Sequence, residues 1–158
     1  MPTPEFILAL REKVGTEPLW LIGVTAIVLD GERVLLARRA DTGEWSTVSG
    51  IVEPGEHPAV TAVREVLEET GVTAEVERLA AVALTKPIVY PNGDRSQYTD
   101  LVFRCRYVSG TAVVADDESL EVGWFPLDGL PDLDPRSLLQ LQQGLSEDPA
   151  AVLDLEPR

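Results

Sequence analysis

Residues 50–72 read GIVEPGEHPAVTAVREVLEETGV, and they carry the clearest structural signals in the chain. At Pro58 a loop with two glycines gives way to a run with helical periodicity. Proline suits the first helical position because it has no N–H to lose there, and Gly71 suits the left-handed residue that follows a helix. The sequence therefore predicts a loop, a helix over residues 58–70 and a second loop.

The predicted helix carries three clustered glutamates. Glu65, Glu68 and Glu69 lie within about 100° of its circumference. Like charges at this spacing repel one another, and a cation would reverse the sign of that interaction. Carboxylate oxygens suit Mg²⁺ or Mn²⁺, and Mg²⁺ commonly shares phosphate oxygens with a substrate. We interpret this face as a candidate metal site, although Glu-x-x-Glu-Glu alone is also typical of a solvated helix face.

The apolar residues of the same helix lie nearly opposite the glutamates. They are Ala59, Val63, Val66 and Leu67. The wheel therefore predicts that this side packs against a sheet and that the acidic side faces solvent or a ligand.

The whole stretch resembles the signature box of the Nudix hydrolase family at every defining position. The matching residues are Gly50, Glu56, Arg64, Glu65, Val66, Glu68, Glu69, Gly71 and Val72. A chance match over the chain is on the order of 10⁻⁶ at average residue frequencies. The resemblance extends to Arg38-Arg39, Trp45, Glu53-Pro54-Gly55-Glu56 and the segment from Glu121 to Pro126, and so covers most of the chain.

The resemblance implies an α/β fold, an α/β/α sandwich around a mixed β-sheet, in a single domain over residues 1–158. It implies metal-dependent hydrolysis of a phosphoanhydride bond in a nucleoside diphosphate linked to another group, with Mg²⁺ or Mn²⁺ as cofactor. The alternatives left open are a diadenosine polyphosphate or nucleoside triphosphate hydrolase, and a nucleotide-binding regulator without activity. Isopentenyl diphosphate isomerases of this fold need additional cysteine and histidine ligands, which this chain lacks.

Five box residues are the metal-ligand candidates that the resemblance implies. They are the Gly50 carbonyl, Glu56, Glu65, Glu68 and Glu69, and of these Glu68 is the strongest candidate. The family draws its general base either from the box helix or from a glutamate in a loop before the last strand, where Glu118 lies. The catalytic candidates are therefore Glu68, Glu65 and Glu118.

Two box residues are expected to act structurally. Arg64 can reach Glu68 or Glu56, and a cation beside acidic groups fixes their orientation. Gly71 is expected to cap the helix. For Gly50 we expect either a close backbone approach or an unusual pair of dihedral angles.

Arg39 and Tyr90 are the substrate-binding candidates. Arg39 ends a strand that points towards the box and could bind phosphate, although an exposed strand-end arginine is the ordinary alternative. Tyr90 lies in a loop with the turn signal Pro91-Asn92-Gly93-Asp94 and could stack on a base.

Single residues after the box give conflicting indications of the substrate. In the family, a proline about fifteen residues beyond the box is associated with ADP-ribose, and a tyrosine sixteen to eighteen beyond it with diadenosine polyphosphates. Pro87 and Tyr90 stand at these positions. We favour ADP-ribose or a related nucleotide sugar.

Composition limits the partners. The net charge of −14 disfavours a long nucleic acid and leaves a small nucleotide as the expected partner, while a homodimer stays open. No run is long and apolar enough to span a membrane and no leader is evident, so a cytoplasmic location is expected. Cys105 is expected in the core and His57 at the surface, which leaves little basis for zinc or Cys-His chemistry.

The remaining elements follow from periodicity and turn signals. Helices are predicted at residues 4–14 and 135–145, and strands at 20–29, 33–39, 73–84, 97–108 and 120–125. Asp30-Gly31-Glu32 is expected to form a tight hairpin turn. The acidic residues 146–158 are expected to fray.

Overall fold

The computed structural model describes residues 3–158, so that residues 1 and 2 of the expected domain lie outside the described range. The helices are α1 (Glu5–Val14), α2 (Pro58–Thr70) and α3 (Pro135–Leu145). The strands are β1 (Leu19–Asp30), β2 (Arg33–Arg39), β3 (Trp45–Ser46), β4 (Val48–Ile51), β5 (Thr73–Leu84), β6 (Ile88–Val89), β7 (Arg95–Ser109), β8 (Ser119–Pro126) and β9 (Val152–Leu153). The bounds of α2 and α3 match the predicted ranges, and α1 begins one residue later than predicted.

The strands form one mixed sheet in the order β3-β2-β1-β7-β5-β9, with β4 on β1, β6 on β7 and β8 on β2. Strands β1 and β7 run parallel, whereas β5 and β7 are antiparallel. Strand β1 divides its other edge between two partners: residues 23–26 pair with β4, and residues 29–30 pair with β2 across a turn in which Gly31 has φ 59°. This arrangement places the start of the box, on β4, beside the centre of the sheet.

The two faces of the sheet carry separate apolar cores, as the alternation along a strand dictates. Val24, Ala26 and Val28 of β1 face the core beneath α2, and Ile27 faces the core that contains Leu141 of α3. Because α2 and α3 cover opposite faces, the predicted α/β/α sandwich around a mixed sheet is confirmed.

The prediction for the faces of α2 was wrong in part. Val66 is buried as expected, but Leu67 is half exposed, and Glu65 and Glu69 are among the buried residues of the helix. The reason lies on the facing strand, where Gly50 has no side chain and leaves room for Glu65. The buried face therefore includes two of the three glutamates.

The prediction that residues 146–158 fray was also wrong. Strand β9 pairs in parallel with the edge of β5, and Asp154 N–H donates to the Val82 carbonyl at 3.0 Å. Beyond it, Arg158 N–H donates to Leu84 and the Arg158 carbonyl accepts from Lys86 N–H at 2.9 Å. Backbone bonds to an open strand edge hold the tail in place irrespective of its acidic side chains.

Two further features concern the class of protein. No helix within residues 3–158 combines the length and apolarity that crossing a membrane requires. Cys105 is fully buried on β7, and burial raises the pKa of its thiol to about 12, which matches the expected core residue.

Candidate active site

A cavity of about 410 Å³, called here the main cleft, lies between the C-terminal end of α2 and the ends of β2 and β4. Glu69, Arg39, Tyr90 and Glu118 all contribute to its lining. Four of the residues selected from the sequence for metal, substrate or catalytic roles therefore share one cleft.

Glu69, Asp116 and Glu118 form the acidic group at this cleft, called here the acidic centre. Each offers a carboxylate oxygen, and these oxygens lie within 4.8 Å of one another. Two backbone bonds bring the loop of residues 110–118 against the end of α2, from Val113 N–H to the Thr70 carbonyl at 2.9 Å and from Ala115 N–H to the Glu69 carbonyl at 3.3 Å. This donor set fits a hard divalent cation such as Mg²⁺, which takes carboxylate oxygens.

Glu65 packs against the box strand. Its side chain is almost fully buried, and a Cβ built at Gly50 would lie 2.5 Å from its Oε1. Gly50 has no positive φ, so the close approach explains the glycine and the unusual dihedral pair is ruled out.

Burial dominates the titration of the two inner glutamates. It raises the pKa of Glu65 to about 7, against the opposing effect of Arg64. It raises the pKa of Glu69 to about 8, with further contributions from the neighbouring Glu65 and Asp116 carboxylates. Burial penalises the charged form of both groups, and a cation bound beside them would favour the ionised form and so displace the proton.

Arg64 joins the remaining box glutamates. Its guanidinium donates to both carboxylate oxygens of Glu56, at 2.9 and 3.0 Å, to Glu65 at 2.9 Å and to Glu68 at 3.1 Å. The Arg64 fork and the Thr61 hydroxyl, which donates to Glu56 at 2.7 Å, lower the pKa of Glu56 to about 2. Glu56 and Glu68, which the sequence suggested as alternative partners of Arg64, therefore both accept hydrogen bonds from it.

The predicted metal ligands thus fall into two groups connected by Arg64. Glu65 and Glu69 lie buried, whereas Glu56 and Glu68 border a shallow depression beside His57, and the side chain of Glu68 is 56% exposed. The structure brings Glu69, and not Glu68, together with Glu118. Gly50, the fifth predicted ligand, pairs with Val24 on β1 beside Glu65.

The substrate-binding candidates have local partners. Arg39 donates to both carboxylate oxygens of Asp41, at 2.8 and 2.6 Å, with half of its side chain exposed. The Tyr90 hydroxyl lies 2.8 Å from the hydroxyl of Tyr98. Pro87 is exposed and lies outside the described lining of the main cleft.

The caps of α2 agree with the sequence. The ring Nδ1 of exposed His57 accepts from Ala59 N–H at 3.1 Å. Gly71 has φ 70° and donates from its N–H to the Leu67 carbonyl at 2.9 Å. These caps explain where the helix begins and ends, and they assign His57 a structural contact.

Sequence reasoning missed two features. Asp116 stands two residues before Glu118, and its proximity to Glu69 depends on how the loop docks. A buried polar group also joins β1, β7 and α3, where Gln140 donates to Asp100 at 2.7 Å and to Thr25 at 3.1 Å. An aspartate among the apolar residues of β7 was the available signal, because a buried carboxylate requires partners.

The comparisons with known proteins agree with this geometry. The family model described as NUDIX domain matches residues 20–143. A MutT-like protein of Streptomyces ambofaciens is 37% identical over 119 residues, which cover 74% of this chain and 71% of that protein. The NAD-capped RNA hydrolase NudC of Pseudomonas aeruginosa is 40% identical over 109 residues, but these cover 68% of this chain and only 36% of that protein.

A solved structure supports the same assignment. An ADP-ribose pyrophosphatase from Streptococcus suis superposes with a TM-score of 0.65 at 25% identity, covering 85% of this chain and 98% of that chain. The fold, the box geometry and the match over residues 20–143 together show that the chain belongs to the Nudix family and is a hydrolase of nucleotide-linked phosphoanhydride bonds.

Proposed function

We propose that this enzyme hydrolyses the phosphoanhydride bond of a nucleoside diphosphate linked to a sugar, with ADP-ribose as the first candidate. The observation that carries the proposal is the position of the acidic centre on the same cleft as Arg39 and Tyr90. A cation site, a phosphate-binding guanidinium and an aromatic ring are the three features that a diphosphate joined to a nucleoside requires.

Nudix hydrolases generally use divalent metal ions, and we propose Mg²⁺ or Mn²⁺ here. Glu69 and Asp116 would hold the ion at the main cleft, with Glu65 behind them, and Glu56, Glu68 and the Gly50 carbonyl are the further ligands that the family resemblance implies. A bound divalent cation polarises a phosphate oxygen and lowers the pKa of water. The buried glutamates would release their protons as the ion binds, because a coordinated carboxylate must be ionised.

Glu118 is the proposed general base. It lines the cleft within 4.8 Å of Glu69 and Asp116 and belongs to the loop before β8, the position of a loop-borne base in this family. A carboxylate there can accept the proton of an attacking water while Arg39 holds the phosphate that the water attacks. Glu68 and Glu65 on α2 are the alternative bases.

The choice of ADP-ribose rests on a chemical group that is common to the substrates named for two similar proteins. The names of these proteins state activity on ADP-ribose and on NAD-capped RNA. Both substrates contain an adenosine diphosphate joined to a second ribose. Tyr90 would stack on the base, and Arg39 would release Asp41 to bind the diphosphate.

The deciding experiment is a nucleotide panel with identified products. The purified chain is assayed on ADP-ribose, NAD, nucleoside diphosphate sugars, diadenosine polyphosphates and nucleoside triphosphates, each with Mg²⁺, with Mn²⁺ and with chelator. We expect AMP and ribose 5-phosphate from ADP-ribose, and no turnover in chelator. A preference of more than about tenfold for diadenosine polyphosphates or triphosphates would reject the substrate choice. Full turnover in chelator would reject the metal role.

A further inference from the structure

A second cavity adjoins the main cleft. It has a volume of about 230 Å³ and lies between β3, β4 and the start of α3. The two cavities share Arg39, Ser46, Thr47 and Ser49 in their linings, so they adjoin each other at these residues. A ligand whose diphosphate lies beside Arg39 can therefore extend in this direction.

The chemistry of this second cavity, called here the hydroxyl cleft, is distinctive. Six of its eleven lining residues carry hydroxyl groups, namely Thr25, Thr42, Ser46, Thr47, Ser49 and Ser137. The other five are charged or carry an amide, so among the described residues no aliphatic or aromatic side chain lines the cleft. A nucleobase presents a flat apolar face that seeks aromatic or aliphatic contacts, whereas a sugar presents hydroxyls that seek hydrogen-bonding partners.

Arg136 stands at the start of α3 on the wall of this cleft, where Asp100 anchors it. Its Nη2 lies 3.3 Å from Asp100 Oδ2, and Asp100 is almost fully buried while the Arg136 side chain is 45% exposed. Asp100 also accepts hydrogen bonds from Gln140 and Thr25. A buried carboxylate with fixed partners holds one edge of the guanidinium, and the exposed part can donate to a ligand.

Gln140 connects this anchor to the strands on the other side of the cleft. Its Oε1 accepts from the Thr47 hydroxyl at 3.0 Å, and the Ser137 hydroxyl accepts from Thr47 N–H at 3.2 Å. Because these side chains satisfy one another, the floor of the hydroxyl cleft is preorganised.

The part of the main cleft beside Tyr90 differs in chemistry. Tyr90 also borders an adjoining cavity of about 390 Å³ to which Tyr98, Leu21 and Ile51 contribute. The main cleft therefore adjoins one cavity with aromatic and aliphatic groups, at Tyr90, and another with hydroxyls and charges, at Arg39. A symmetric dinucleotide would place a base at both ends, whereas a nucleotide sugar matches this asymmetry.

We propose that the hydroxyl cleft is the subsite for the sugar half of the substrate, and that Arg136 is a specificity-determining residue that donates hydrogen bonds to that half. This inference rests on the proposed function and adds which part of the chain selects the group beyond the diphosphate. The selected group is a polyhydroxylated sugar, and Arg136 contributes more to binding it than to the bond cleavage.

The test compares two substrates that differ only at one position. ADP-ribose and diadenosine diphosphate share an adenosine diphosphate and a second ribose, which carries a hydroxyl in the former and an adenine in the latter. We expect wild-type kcat/KM to favour ADP-ribose by at least about tenfold. Arg136→Ala should raise the KM for ADP-ribose at least about tenfold and change kcat little, so that the preference between the two substrates falls.

Two further variants separate recognition from folding. Arg136→Lys keeps a charge beside Asp100 but loses the planar fork, and it should restore part of the preference for ADP-ribose. Arg106→Ala is the matched control. Arg106 is a comparably exposed arginine on β7 that pairs with Glu75 on β5 and does not line the hydroxyl cleft, so its replacement should leave both KM values unchanged. The ratio of kcat/KM between the two substrates does not depend on the folded fraction of a variant.

The outcomes distinguish the two levels of the proposal. A wild type that prefers diadenosine diphosphate overturns the proposed sugar-linked substrate and the subsite together. A wild type that prefers ADP-ribose, with Arg136→Ala leaving the KM for ADP-ribose within about twofold of the wild-type value, leaves the proposed function standing and overturns the subsite.

Discussion

The side chain of Glu65 occupies the space that a side chain at residue 50 would need. A Cβ on Gly50 would lie 2.5 Å from Glu65 Oε1. Burial at this position raises the pKa of the Glu65 carboxyl to about 7. A glycine on a strand thus determines where a glutamate on the facing helix lies.

Gly50→Ala is predicted to displace Glu65 and to lower activity. The added methyl group cannot be accommodated unless the glutamate moves, and overpacking of this kind costs roughly 1–3 kcal/mol of unfolding free energy. If Glu65 positions the metal or the base, kcat should fall at least about tenfold. Thermal melting and kcat at saturating metal measure the two effects.

Gly123→Ala provides the control for this substitution. Gly123 has no positive φ, and the nearest atom to a Cβ built there is 3.5 Å away, which is an ordinary contact. It should leave kcat within about twofold of wild type. A Gly50→Ala enzyme that matches this control would show that the position of Glu65 is unimportant.

The pH dependence of stability should reveal the two buried glutamates. Their pKa values of about 7 and 8 lie above the ordinary value of 4.5. Between pH 4.5 and about 8, the folded protein therefore holds more protons than the unfolded chain. The free energy of unfolding should therefore fall as pH rises from about 5 to 8 in chelator. Added Mg²⁺ binds the ionised form, so its stabilising effect should grow over the same range.

Glu69→Gln isolates this effect from the general repulsion of a chain with net charge −14. The variant has no proton to lose at residue 69 and one charge fewer beside Glu65, so its melting temperature should depend less on pH. Exposed Glu12→Gln is the control and should keep the slope of the wild type. Parallel curves for the wild type and Glu69→Gln would contradict the raised pKa of Glu69.

Helices α2 and α3 could be predicted because the sequence signals that specify them are local. A proline, an apolar periodicity and a glycine or polar residue at the ends determine a helix within its own segment. The docked tail could not be predicted in this way, because β9 forms on an edge of β5 that no residue of the tail indicates.

The same distinction applies to the candidate site. The box residues were identifiable from their spacing, but the division between buried Glu69 and exposed Glu68 depends on where the sheet lies relative to the helix. Asp116 joins the acidic centre through backbone bonds of its loop to the end of α2, a long-range contact without a local pattern. The anchoring of Arg136 by Asp100 can be recognised only after folding brings α3 beside β7.

Arg64→Lys is predicted to loosen the box by removing a two-point contact. Arg64 binds both oxygens of Glu56 through two nitrogens, and a lysine ammonium cannot reproduce that fork. Loss of charge-assisted hydrogen bonds in a partly buried setting should lower the unfolding free energy by about 1–3 kcal/mol. Denaturant unfolding measures this loss.

The matched control is Arg106→Lys. Arg106 on β7 pairs with Glu75 on β5, both side chains are exposed, and such pairs contribute about 0–1 kcal/mol. Equal losses for the two variants would mean that the Arg64 contacts add nothing beyond an ordinary surface pair. Unfolding at acidic pH gives a second measurement. Because the pKa of Glu56 is lowered to about 2, the ionised Glu56 contributes to the unfolding free energy above about pH 4.5, and this contribution is lost as the pH falls towards 2.

The last prediction separates the ligand role of Glu68 from the base role of Glu118. Glu68→Gln keeps size and helix propensity, and because Glu68 is an exposed ligand candidate it should lower kcat roughly a hundredfold or more without loss of fold. Glu118→Gln should lower kcat by more than about tenfold only if the loop supplies the base, with metal affinity less affected than in Glu68→Gln. Rates of both variants measured against metal concentration distinguish the cases, because loss of a ligand also raises the metal concentration needed for half-maximal rate, whereas loss of the base lowers the rate without that change. If Glu68→Gln keeps near-wild-type kcat at saturating metal while Glu69→Gln does not, the metal is held by the buried acidic centre alone, and the exposed glutamate that the family resemblance favours is not its principal ligand.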